Sequence, residues 1–425
     1  MPLSFTRRSI LQQAGAAAAF AAASGALQNI ARAQTVDGKE LTGEDFWQLV
    51  RHQFIFPESA VPMNCANLCP SFQSVADKVT TLSRVVDYDV SFNNRAQFND
   101  TLRESQAKVA AQIGAAPEEV ALVRNTSEGN SVITNGLNFR EGDEIVIWNQ
   151  NHVTNNEAWD IRARRFGLKI VRVALPRVPE SDEQVVELFS KACSDRTKVL
   201  TFTEVSNVSG LKLPAKKLAA MARERGIHCH VDGAQSWGAL AFDIHDIGCD
   251  SLAASAHKWF MGPKEMGILY VRNGRASEIW PNTIGYTGEI KVELDLQNAL
   301  KFETLGQRDD AAVAALGETA DLHAQIRPER IQARIMELAG LLKEGLKDAG
   351  ATLVTPESPA MSGGVVVIEI PKENQKTVAD AMYAKFGIAA STSGGLRLCP
   401  HIYNTRAHIM RAVNGVASMR DLIKV

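Results

Sequence analysis

The stretch "SLAASAHKWFMGPKEMGILYV", residues 251–271, decides the fold. It reads as two buried apolar strands around a short turn, with His257 and Lys258 side by side where the first strand ends. An ammonium without a partner is costly to take out of water, so a lysine there needs a reason. Outward from this point, apolar strand-like runs alternate with amphipathic helical stretches over residues 117–272. "EVALVRN" is followed by "SEGNSVITNGL", "DEIVIWNQ" by "NNEAWDIRARRFG", "LKIVRVAL" by "DEQVVELFSKACS", and "KVLTFTEVSN" by "PAKKLAAMARERG". "IHCHVDG", "SLAASAH" and "MGILYV" complete the series. Such alternation predicts an α/β fold whose large domain is a mostly parallel sheet with helices on both faces. In sheets of this kind the ligand lies beyond the carboxyl ends of the strands, so functional residues come just after each strand.

The final third has a different pattern. "AAVAALGETADLHAQI" and "IQARIMELAGLLKEGLKDAG" read as long helices, followed by short strands "ATLVTP", "GGVVVIEIP" and "GGLRLCP". That predicts a smaller α+β domain. The expected division is a leader at 1–33, an N-terminal segment at 34–75 packing on the small domain, the large domain at 76–309 and the small domain at 310–425.

The leader reading rests on "TRRSILQQAGAAAAFAAASGALQNIARAQT". Paired Arg7-Arg8, an Ala-rich apolar region and the small-x-small site Ala31-Arg32-Ala33 arrive in the order of a removable signal peptide. The twin arginine with Ile10-Leu11 behind it resembles a Tat signal, which engages the machinery that exports folded proteins and implies a periplasmic setting. After it, 45% hydrophobic and 22% charged residues with a net charge of −2 describe an ordinary globular chain. Nothing in that balance points to nucleic acid or an anionic membrane surface, and no interior run has the apolar length of a spanning helix. The six cysteines form no CxxC pair and read as buried thiols.

Each strand end carries polar residues. Thr126, Ser127 and Glu128 come after the first, where hydroxyls and free N–H groups at a helix start suit a phosphate, although a plain N-cap uses the same residues. Asn151 and His152 come after the second, and an imidazole there can stack on a planar ligand. Asn207 stands just past "KVLTFTEVS". Asp232 ends "IHCHVD", with Gln235 three residues on; an Asp can keep a ring nitrogen protonated, and a Gln amide can donate to a phenolate-type oxygen. His228 and His230 read as strand residues, since no third ligand stands at a metal-binding spacing. Lys258 is next along the chain, with Ser255 and His257 beside it. A phosphate site, a ring stacker, an acid for a ring nitrogen and a partly desolvated lysine together match pyridoxal 5′-phosphate, which a lysine holds as a Schiff base.

At these residues the sequence resembles the class V aminotransferase family of fold type I pyridoxal-phosphate enzymes, over about residues 60–415, and within it the isopenicillin N epimerase-like branch. "HVDGAQSWGAL" and "DIGCDSLAASAHKWFMGPKEMGILYV" are similar to the family's Asp-x-x-Gln and lysine segments, and "NTSEGN" to its phosphate loop. The resemblance implies that Ser127 supplies a phosphate hydroxyl, that Ser255 and His257 reach the phosphate, that His152 stacks on the ring and that Asn207 lies near it. "GLRLCPHIYNT" resembles the strand whose arginine, here Arg397, grips a substrate carboxylate. The family often has Gly-Thr reaching across a dimer where this chain has Gly306-Gln307, and the loop "ASTSGGL" lacks the cysteine of desulfurases. The resemblance therefore implies an aminotransferase- or epimerase-type enzyme, active as a homodimer on the α-carbon of an amino acid. With the leader, an amino-acid terminus of an exported peptide-like metabolite, such as a siderophore, becomes a candidate substrate. A lyase, or a catalytically silent binding protein on the same scaffold, is the alternative.

Overall fold

The computed structural model describes residues 35–36, 39–40, 43–285 and 297–424. The expected leader lies outside the described residues. Seven strands form the central sheet: β1 (Val120–Val123), β2 (Glu144–Trp148), β3 (Lys169–Val173), β4 (Thr197–Thr203), β5 (His228–Asp232), β6 (Ser251–Ser255) and β7 (Gly267–Val271). Their spatial order is β1-β7-β6-β5-β4-β2-β3. Only β7 runs against its neighbours β1 and β6; the other pairings are parallel. The carboxyl ends of β1, β2, β4, β5 and β6 therefore share one edge, and the polar residues at those strand ends are delivered there.

Strands β1, β2, β5, β6 and β7 are buried along their whole length, as expected of a sheet covered on both faces. One face packs Val146, Leu200, Val231 and Ile268 against Val109, Phe189 and Leu218. The opposite face packs Val123, Ile147, Val199 and Leu269 against Ile133 and Trp159. The covering helices include α1 (Asn99–Gln112), α2 (Thr126–Gly136), α3 (Val153–Phe166), α4 (Asp182–Ala192) and α5 (Ala215–Glu224). Among the described residues no helix is long and apolar enough to cross a membrane.

The last third holds α6 (Asp310–Ile326), α7 (Pro328–Asp348), α8 (Gln375–Phe386) and α9 (Arg406–Ala417), with the antiparallel pair β8 (Val366–Ile368) and β9 (Leu396–Leu398). Its own core is Leu338, Leu342, Val366, Leu396 and Ile409. Helix α6, at the expected boundary, serves both parts: Ala312, Val313 and Leu316 join the sheet core, while Ala315, Leu322 and Ile326 join a seam cluster. That seam collects Phe46, Trp47, Phe54 and Phe72 from the N-terminal segment with Ile335, Val365, Trp259 and Tyr403. All six cysteines are free and buried.

The short turn expected inside residues 251–271 is longer: residues 256–266 form an irregular connection between β6 and β7, with Met261 and Glu265 at positive φ. Its buried carbonyls need partners. His401 Nε2 lies 2.8 Å from the Trp259 carbonyl and His323 Nε2 lies 2.8 Å from that of Phe260, so both imidazoles donate to this segment. Phe260 is also stacked between Trp237 and His323, with centroids 4.0 and 4.3 Å away. Gly238, at φ +86°, lies so close that a Cβ there would sit 2.5 Å from the Phe260 backbone.

Burial lowers His228 and His323 to about 4, and His230 and His401 to about 3. Once released by unfolding, each titrates near 6.5. The unfolded chain thus binds more protons below that value, and stability falls as pH drops from about 6.5 toward the folded-state values. Urea unfolding midpoints measured between pH 8 and 4.5 are expected to be flat above about 7 and to decline steadily below 6.5. A midpoint unchanged down to pH 4.5 would contradict these neutral buried imidazoles.

Candidate active site

The amine of Lys258 stands three residues beyond β6, on the irregular 256–266 connection. Desolvation dominates its environment and lowers its pKa; Asp232 and Cys69 pull it back up, and Arg397 pushes it down. A lysine shifted this way is more readily the neutral amine that a nucleophile or base requires. His152 feels desolvation first and then Lys258, Asp232 and Arg397, with a net lowering. Residues 152, 232, 258 and 397, spread over more than half the chain, are thus within electrostatic reach of one another.

Asp232 is 1% exposed at the end of β5. Its Oδ1 accepts from the Ala234 N–H at 3.1 Å and its Oδ2 from the Asn130 amide at 3.1 Å. Asn151 ties the start of α3 to β4, donating to the Thr201 carbonyl and accepting from the Thr203 N–H. This fixes the approach of His152, which caps α3 through Nδ1 with Thr154. Gln235 accepts from the Trp259 indole at 2.7 Å and donates one amide hydrogen to the Ala66 carbonyl at 3.0 Å. Its second amide hydrogen remains for a ligand oxygen.

At the start of α2, Thr126 turns inward. Its N–H donates to Ser255 Oγ at 2.8 Å, and the two hydroxyls are 2.6 Å apart. Asn125 caps the helix by accepting from the Glu128 N–H. Ser127, the hydroxyl implied by the resemblance, is exposed and lines an open cavity of about 500 Å³ with Arg124 and Glu128. His257 is held at about 4, by desolvation and then by Lys258 and Lys264, so it stays neutral at ordinary pH.

Arg397 is 4% exposed on β9. Its Nη1 donates to the Asn207 carbonyl and its Nη2 to Asn64 Oδ1, both at 2.9 Å. Gly394, at φ +76°, makes that approach possible, because a Cβ there would fall 2.0 Å from the Val208 carbonyl oxygen. Arg397 Nε and Asn207 Oδ1 are both buried without a partner. The orphaned Arg397 Nε donor would be satisfied by an anionic ligand group, and the orphaned Asn207 Oδ1 acceptor by a ligand donor. Gln307 is placed differently. It is exposed, accepts from Arg95 Nη1 at 3.1 Å and donates to the Arg308 carbonyl, and it lines a second cavity of about 580 Å³ with Lys264 and Arg308. The chain's own Gln307 is not brought to its own Lys258.

Sequence reading passed over Asn64, Asn130, Trp259, His323 and His401. None belongs to a motif by spacing; each matters through one tertiary contact.

The chain is matched by the model of the aminotransferase class-V family over residues 73–419. It is 27% identical to the isopenicillin N epimerase of Streptomyces clavuligerus over 391 residues, 88% of this chain and 98% of that one. It is 29% identical to a probable cysteine desulfurase of Methanothermobacter thermautotrophicus over 332 residues, 72% of this chain and 81% of the relative. The apo structure of a cysteine desulfurase from Thermococcus onnurineus superposes with a TM-score of 0.77 at 23% identity, covering 88% of this chain and 98% of that one.

If Thr126 and Ser255 hold a phosphate, Thr126→Val and Ser255→Ala each remove a hydrogen bond to a charged group, and cofactor affinity falls about tenfold in each. Equilibrium dialysis of the holoprotein reads this directly; unchanged affinity in both would contradict the placement.

Proposed function

The chain belongs to the class V aminotransferases, enzymes of fold type I that use pyridoxal 5′-phosphate. From that premise we propose that it acts on the α-carbon of an amino acid, or of an amino-acid terminus on an exported peptide-like metabolite, by transamination or epimerisation. The observation that carries the proposal is that Lys258 and His152, just past strand ends of the central sheet, each lie within electrostatic reach of Asp232 and of Arg397 from β9. Bound there, the cofactor supplies an electron-withdrawing ring that stabilises negative charge at the substrate α-carbon. Arg397 binds the substrate carboxylate and orients the Cα–H bond. The Lys258 amine takes the proton from Cα, its lowered pKa suiting it to that task. Asp232 would hold a proton on the ring nitrogen, His152 would stack on the ring, and Thr126, Ser255 and the start of α2 would hold the phosphate. Transamination and epimerisation would differ only in where that proton is then returned.

Sulfur transfer is the less favoured branch. Residues 390–396, just before Arg397, include no cysteine, and Cys399 is fully buried in the seam cluster, where its carbonyl accepts from Cys65 Sγ.

The export reading belongs to the same proposal. A Tat leader at 1–33 would deliver the folded holoenzyme to the periplasm, where a siderophore-type peptide is a candidate substrate. A homodimer is part of the same reading: Gln307, exposed beside Arg95 and Arg308, would then face a partner's phosphate site.

Purified holoprotein offered a panel of free amino acids, exported peptides and siderophores tests the reading. Amino-group transfer or inversion at Cα on an amino acid or a peptide terminus is expected, with sulfur release from cysteine or cystine as the contrary outcome. Arg397→Leu is expected to raise KM by about tenfold to a hundredfold, since a charged hydrogen-bonded pair is lost. An unchanged KM would remove Arg397 from carboxylate binding.

A further inference from the structure

Behind Asp232 runs a chain of buried polar side chains. Asn130 Oδ1 lies 2.9 Å from His230 Nε2, His230 Nδ1 lies 2.8 Å from Ser251 Oγ, and Ser251 Oγ lies 3.0 Å from His228 Nε2. His228, His230 and Asp232 alternate along β5 and so share one face. Asn130 reaches them because Gly129 lets α2 sit close on β6; a Cβ at Gly129 would meet the Ala253 Cβ at 2.7 Å.

The direction of every hydrogen is set from the Asp232 end. Asn130 presents its NH2 to Asp232 Oδ2 at 3.1 Å. Its carbonyl oxygen is then an acceptor, and His230 must donate from Nε2. A neutral imidazole that donates from Nε2 accepts at Nδ1, so the Ser251 hydroxyl spends its one proton there. The hydroxyl lone pairs can then accept from His228 Nε2. His228 Nδ1 is left as a bare lone pair, and that atom is buried without a partner. Each step requires neutral imidazoles, and desolvation keeps both rings neutral at ordinary pH.

We propose that this one-directional chain sets the orientation of Asp232 toward the cofactor ring nitrogen, making Asn130, His230, Ser251 and His228 positioning residues for the electron-withdrawing strength of the ring. The amide of Asn130 is a poor proton carrier, so the chain transmits orientation and polarisation and does not transfer protons. With His230 unable to donate, the Asn130 amide is less polarised and less firmly held, so its hydrogen bond to Asp232 weakens and the carboxylate becomes more basic. A proton shared with a bound ring's nitrogen would then sit nearer the carboxylate, and the ring would withdraw electrons less strongly. The titratable groups facing the chain are Asp250, Arg272 and Arg275 against His228, His228 against His230, and Lys258 and His152 on the ligand side of Asp232.

The inference rests on Asp232 as the partner of the ring nitrogen, so Asp232→Asn is the benchmark. The readout is the pH midpoint at which the visible band of the holoprotein interconverts, measured beside thermal unfolding. His230→Leu is expected to move the midpoint by about half a pH unit or more, in the direction set by Asp232→Asn. His230→Gln, which can donate to Asn130 and accept from Ser251, is expected to restore most of it. A purely structural role would lower thermal stability and leave the midpoint in place. The relay is overturned if Asp232→Asn moves the midpoint and His230→Leu does not. If neither moves it, the assignment of Asp232 falls and the relay with it. Should His230→Leu fail to fold, Ser251→Ala carries the same two outcomes with a smaller expected shift.

Discussion

The site depends on a backbone segment that has no regular structure of its own. Residues 256–266 carry Lys258 through the interior, and a buried irregular segment is tolerable only when its polar groups are paired. His401 and His323 supply two of those partners from the last third of the chain, and Gln235 takes the indole of Trp259. Holding the segment in this way keeps the Lys258 amine desolvated, which lowers its pKa, and within reach of Asp232. The arrangement has a cost. The imidazoles that steady the segment must stay neutral, so the interactions that build the site also make the fold sensitive to acid.

The two parts of the chain meet at the same place. Arg397 comes from β9 and Asn207 from beyond the end of β4, and they touch only because Gly394 allows the backbones to approach. The N-terminal segment contributes Asn64 to the guanidinium and the Ala66 carbonyl to Gln235. A site assembled from three stretches so distant in sequence is stable because the seam cluster beneath it is apolar and continuous.

Most of the seven strands were legible because they are apolar runs of strand length bounded by turn or helix signals, and their strand-end residues could be read as one set. The helix at Asn99–Gln112 was not legible, since its buried face includes Ser105 and Gln106 beside Val109 and Ala110 and the apolar period is broken. The 256–266 connection was read as a short turn because its apolar residues continue the strand pattern, while the histidines that hold it open lie more than sixty residues away. Asn130 escaped notice for a related reason: a buried asparagine acquires its role from a partner on another element. The chain's relatives include an epimerase and desulfurases, so one fold serves more than one reaction.

The site as described needs the cofactor joined to Lys258 and to no other lysine, and chemical trapping reads that attachment. Borohydride reduction of the holoprotein, followed by peptide mapping, is expected to place the cofactor's mass on Lys258 alone. Recovery of the label on the neighbouring Lys264, or of no label on a protein saturated with cofactor, would contradict the account.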